Sequence, residues 1–193
     1  MSDLEKVVPY LQALGYSVSS VDELRESGVR YRSAIPVLLD WLLRLESPQD
    51  KEWLVRALSV PWAREHAVGP LIAEFKAAPA EASQLRWAIG NAFDVLWDDA
   101  HFESLVSLAQ DRSYGRDREM IVLGMAKSKR PEAMDLLISL TNDPDVSGHA
   151  TMALRKRGEP GAEEAFRRMQ GDSRAWVRRE AAKGLTKLQK QRP

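Results

Sequence analysis

No cysteine occurs in this chain of 193 residues, which excludes disulfides, thiolate nucleophiles and cysteine-ligated zinc, and fits a reducing compartment. Long apolar runs are missing too. The opening stretch, MSDLEKVVPYLQALGY, carries acidic residues early; it predicts neither a secretory signal nor a membrane span, and makes the cytoplasm the expected location. Histidine is scarce. His66, His101 and His149 stand far apart with no HxxxH or HxxE spacing, and a metal centre needs three or four converging ligands, so none is expected. No glycine-rich phosphate loop and no GxSxG elbow appears, and Gly124, Gly148 and Gly184 stand singly inside helical patterns, where they suit close helix packing. No cofactor and no enzymatic chemistry is expected. Sustained period-two alternation is also absent, so no strand is predicted.

What is present is a repeat. Asp50 to Trp62, Leu85 to Trp97, Asp117 to Lys129, Val146 to Gly158 and Val177 to Gln189 superpose on Leu58, Phe93, Met125, Leu154 and Leu185, at steps of about 30 to 35 residues. A helical pattern with that period predicts an all-α solenoid of antiparallel helix pairs, because one pair cannot bury its apolar face without its neighbours. The expected helices are 33–46, 50–59, 65–77, 82–96, 100–110, 116–127, 131–140, 145–157, 161–169 and 173–189. Their starts follow from punctuation: Ser47 with Pro48, then Pro131, Pro144 and Pro160, each near a first turn that has no use for the missing N–H. The first thirty residues repeat least. There Ser20 and Glu23 form a capping box opening a short helix that ends near Gly28.

VRREAAKGLTKLQ at Val177–Gln189 and ATMALRKRGEPGAEEAF at Ala150–Phe166 resemble HEAT repeats, particularly the short kind of the phycobilin lyase-like group. The resemblance implies two antiparallel helices per repeat, with a Val, Ala, Ala, Leu, Leu core stripe on the second. It divides the chain into an N-terminal helical cap, 1–32, and a HEAT-like array of about five repeats, 33–193, forming one continuous folded unit. As a family, HEAT arrays are mostly protein-binding scaffolds, with some acting on bilins or nucleic acids.

Charge is balanced overall but not along the chain. Residues from Asp145 onward carry +6 and those before them −6; a basic end of this kind serves either an acidic partner or the solvation of a terminal repeat. Asp94, Asp98 and Asp99 cluster near a helix end, where capping is the favoured role over acid–base work. Six tryptophans stand out in so small a chain. Trp62 and Trp97 share one register and are expected to fill the wedge between helix pairs, Trp41 to edge an apolar face, and Trp53 and Trp176 to be half-buried.

Trp87 differs, because the equivalent positions hold Glu52, Glu119, Gly148 and Arg179, none a core choice. The second helices of such an array line its concave wall, and one ridge there runs through Arg56, Trp87, Asn91, Leu123, Lys127, Met152, Lys156, Arg179 and Lys183. Trp87, Leu123 and Met152 are expected to anchor a bound protein or peptide of unknown identity. Lys127, Lys156, Arg179 and Lys183 would meet its acidic stretches. The competing expectation is nucleic-acid binding in the manner of HEAT-fold DNA glycosylases, with Trp87 and Asp94 flanked by Arg56, Arg86 and Arg118. A neutral chain speaks against it. The oligomeric state is left open.

Overall fold

A computed structural model describes residues 3–191. Among the described residues every regular element is helical, and the chain divides into two compact units, Met1–His101 and Phe102–Pro193.

The first unit holds α1 (Val8–Ala13), α2 (Val21–Glu26), α3 (Ile35–Arg44), α4 (Pro48–Leu58), α5 (Arg64–Ala77) and α6 (Ser83–Leu96). The punctuation works as the sequence predicts. Ser20 Oγ accepts the Glu23 N–H at 3.0 Å, and the Glu23 carboxylate reaches back to the Ser19 N–H at 2.7 Å. Ser47 accepts the Asp50 N–H at the start of α4, with Pro48 in the first turn. Helices α2, α4 and α6 pack as a row, while α3 lies against α4 and α5, and α5 against α6. The predicted cap therefore contributes α2 to the same row as the repeats. Leu38, Leu42, Leu54, Leu58, Leu71, Phe75, Ile89 and Phe93 close the core. Tyr31 is buried with them; its hydroxyl donates to the Ala57 carbonyl at 2.8 Å and its ring meets Trp62 edge-on at 5.5 Å. Burial pushes this phenol up to about 12, since the charged form would lose its water.

The second unit repeats the scheme with α7 (Phe102–Gln110), α8 (Glu119–Gly124), α9 (Glu132–Leu140), α10 (Ser147–Arg157), α11 (Glu163–Met169) and α12 (Ala175–Lys190). Helices α8, α10 and α12 form its row. The two single glycines of α10 and α12 are there for contact. A Cβ on Gly184 would lie 2.6 Å from the Phe166 ring, and one on Gly148 only 2.3 Å from the Trp176 ring.

One predicted helix is broken. In place of the helix 116–127 stand a 3₁₀ segment Arg112–Arg118, then α8, then a 3₁₀ turn Met125–Lys127, with Gly115 at φ 50° inside the first. Gly115 takes the left-handed backbone that a Cβ would resist. The break is held by Arg118, whose side chain is fully buried; it donates to the Gly115 carbonyl at 2.8 Å, to the Ala109 carbonyl ending α7 at 3.1 Å, and to Asp143 at 2.9 Å. Burial raises the Asp143 carboxyl, but the Arg118 hydrogen bond, the Asp145 N–H and the charges of Arg118 and Arg112 together outweigh it and hold the group below its ordinary 3.8.

Arg86 does the same work in the first unit, donating to the Phe75 and Ala78 carbonyls at the end of α5. Cations at a helix C-terminus meet both unsatisfied carbonyls and the negative end of the helix dipole.

Candidate functional site

In the first unit, Arg56, Trp87 and Asn91 come together. With Arg25, Ser59, Val60, Asp94 and Val95 they line an open groove of about 410 Å³ along α2, α4 and α6. Trp87 is 43% exposed, as its register predicts. One turn on, the Asn91 amide spends one N–H on the Trp87 carbonyl at 3.0 Å, which leaves a donor and an acceptor facing the groove. Its cations are compensated. Arg56 is tied to Glu52 at 2.6 Å and stands 6.0 Å from the Trp53 ring, and Arg25 is tied to Asp22 at 2.8 Å and to Glu26 at 3.1 Å. The groove therefore offers one apolar platform, one amide and little uncompensated charge.

Arg25 was not foreseen, because residues 1–32 read as a cap. The signal lay in Ser20 and Glu23, which open α2 and so add it to the row. Trp53 is exposed rather than half-buried. Trp97 is buried, with its indole N–H donating to Asp99 at 2.9 Å, and Asp98 accepts the Ala100 N–H at 3.0 Å; this is the capping role expected of that acidic cluster.

In the second unit, Leu123 corrects the sequence expectation. It is only 6% exposed, so it belongs to the core and anchors nothing. The cause is the short α8 between two 3₁₀ segments: a 3₁₀ turn advances about 120° per residue against about 100° in an α-helix, so the face does not keep the register of an unbroken helix. Ile121 through Met125 are all buried in consequence. Met152 on α10 is half-buried, and Gly148 is covered by Trp176. Lys127, Lys156, Arg179 and Lys183 are exposed, with Lys183 paired to Glu180 at 3.1 Å. Lys187, next on the same ridge, instead donates to the Arg155 and Lys156 carbonyls that end α10. Part of the basic ladder is therefore structural.

The constellation drawn for nucleic acid forms only in part: Arg56, Trp87 and Asp94 line the groove, but its other cations do not face it. Arg86 and Arg118 are buried and spent on backbone carbonyls and Asp143, so two of its three flanking cations face no phosphate. Among the described residues no group of three or more His, Asp or Glu side chains could hold a metal ion, and no helix is long and apolar enough to cross a membrane.

No protein-family model matches this chain, and no curated protein matches it. Solved structures do. An engineered protein shares the fold over 98% of this chain and 100% of its own, at a TM-score of 0.54 and 19% identity. A designed armadillo repeat protein in complex with the peptide (KR)4 covers 97% of this chain and 100% of its own, at a TM-score of 0.54 and 18% identity. Another designed armadillo repeat protein covers 96% and 100%, at 0.51 and 18%. At such identities the likeness concerns the fold alone, and that fold is the all-α repeat solenoid.

Proposed function

We propose that the protein is a non-enzymatic scaffold that holds an extended peptide or protein segment in the groove of the first unit, on Trp87 and Asn91. The observation that carries this reading is Trp87, a large aromatic exposed on the open groove face beside a half-free amide. An indole platform takes apolar or planar side chains at small entropic cost, and an amide with one donor and one acceptor matches the N–H and C=O of a strand-like backbone. A designed repeat protein of the same fold is in complex with the peptide (KR)4, which supports the use of such a solenoid as a peptide cradle. Since Arg25 and Arg56 are paired in place, the hold is apolar at this end. Lys127, Lys156, Arg179 and Lys183 of the second unit would meet acidic stretches of a partner. This reading takes 33–193 as one continuous HEAT-like array in the cytoplasm.

Affinity capture from native cells with wild-type and Trp87→Ala protein tests it. A partner retained by the wild type in high salt and lost by the variant is the expected result; equal retention by both sinks the idea. Labelled DNA at low salt is expected to show no retention, because neither Arg86 nor Arg118 is available to phosphate.

A further inference from the structure

Trp176, in the first turn of α12, lays its indole over Gly148 on α10 more closely than any side chain there would permit. His149, the next residue of α10, meets the same indole edge-on, with centroids 5.6 Å apart at 64°. Its Nδ1 stands 3.8 Å from the Glu119 carboxylate of α8, and that carboxylate already accepts from Arg116 at 2.9 Å. From the α12 side comes Arg174, its guanidinium 5.8 Å from the Trp176 ring and bound to Asp172 at 2.8 Å and to Ser147 at 2.6 Å. The imidazole thus stands at a junction of three helices. The charged groups acting on it are Glu119 and Arg116 from the α8 side and Arg174 from the α12 side.

We infer that His149 is a pH-sensitive latch for α12: neutral, it lets Trp176 seat on Gly148; protonated, it loosens that seat and frees the first turn of the helix. A proton on the ring would sit largely out of water, repelled by the charges of Arg116 and Arg174, beside a carboxylate already committed to Arg116. Burial lowers the imidazole, Glu119 raises it in part, and Arg116 and Arg174 lower it again, leaving it below its ordinary 6.5. Released or unfolded, the side chain takes up its proton near 6.5 while the seated one does not. Docking of α12 is therefore whole above pH 6.5 and weakens as pH falls below it, levelling off once the seated group also titrates. Helix α12 carries Arg179 and Lys183, so the latch governs how firmly part of the cationic face is held. The inference does not depend on what the protein binds.

A proton NMR titration of the imidazole signals, with His149 assigned by its disappearance in His149→Gln, is expected to give a midpoint below 6.5. Amide exchange over residues 175–190, corrected for its intrinsic pH dependence, is expected to rise by up to about tenfold per pH unit below 6.5 in the wild type, and to lose that dependence in His149→Gln. A midpoint at or above 6.5, or the same exchange profile in both proteins, overturns the latch. Should His149→Gln fail to fold, Glu119→Gln decides instead. Removing the one group that favours the imidazolium should lower the midpoint further, and an unmoved midpoint overturns the latch.

Discussion

The two units carry the same repeat and treat their surfaces in opposite ways. Residues 1–101 have a net charge of −5 and residues 102–193 one of +5. Among the described residues, all the large apolar side chains that stay exposed, Tyr10, Leu14, Val29, Leu43, Trp53 and Trp87, belong to the first unit. The second unit exposes none of this size but is threaded with polar bonds between repeats. Arg157 donates to the Ser128 carbonyl, Arg174 to Ser147 and the Pro144 carbonyl, and Arg155 pairs with Glu180. Isolated exposed apolar residues are ordinary on any protein, but their confinement to one of two similar units is not explained by folding. The first unit has surface to give to a partner, whereas the second spends its side chains on itself.

The largest expected effect tests the self-stitching. Arg118→Ala would leave the buried Asp143 carboxylate only the exposed Arg112 at 3.5 Å and the Asp145 N–H at 3.2 Å, and strip the Ala109 carbonyl of its donor, which should lower stability by up to about 3–5 kcal/mol. Arg86→Ala in the first unit takes the donor from the Phe75 and Ala78 carbonyls and should cost about 1–3 kcal/mol. Urea denaturation of both variants measures the difference. Equal losses would mean that Asp143 is not a buried charge dependent on Arg118, and the contrast between the units would narrow. Next comes packing: Gly184→Ala forces a Cβ into the Phe166 ring and should cost about 1–3 kcal/mol, read in the same experiment.

A third prediction separates the units by pH. In the second unit, burial raises both Asp143 and Glu180, yet the hydrogen bonds and charges around them, from Arg118, the Asp145 N–H and Arg112 to the one and from Lys183 and Arg155 to the other, together hold them below their ordinary 3.8 and 4.5. Their contribution is whole above those values and is lost as pH falls through and below them. Tyr31 in the first unit behaves in the reverse sense. Its folded value of about 12 lies above the ordinary 10.0, so its contribution is whole below pH 10 and lost between 10 and 12, as the unfolded phenol ionises first. Hydrogen exchange followed by mass spectrometry should show 102–191 opening first in acid and 3–101 first in alkali. Simultaneous opening at both extremes would erase the distinction.

The fold was legible because the core stripe repeats: of the residues at that register, Leu58, Phe93, Met125 and Leu154 are buried and Leu185 is half-buried, and the helix starts follow serine and proline signals that act locally. The site was legible only where the helix is continuous. Trp87 and Asn91 lie on the unbroken α6, so their register predicts their exposure. Leu123 lies on a helix broken by 3₁₀ turns, and extrapolated register fails there. Arg86 and Arg118 were read as surface cations because charge alone says nothing of burial. Yet Lys51, Arg86, Arg118 and Arg178 stand at one position in four of the five repeats, with Ser147 in the other, and a cation recurring at a fixed place in a repeat is a sign of structural duty.

The smallest expected effect bears hardest on function. Trp87→Ala removes an exposed side chain from the first unit, and surface substitutions of this kind change stability by about 0.5 kcal/mol or less. The variant should therefore keep the wild-type urea midpoint while losing the captured partner, which ascribes the residue to binding and not to the core. A loss of stability near the 3–5 kcal/mol expected of a buried aromatic would instead make Trp87 part of the packing between α4 and α6. The first unit would then have no surface to spare, and its difference from the second would reduce to charge.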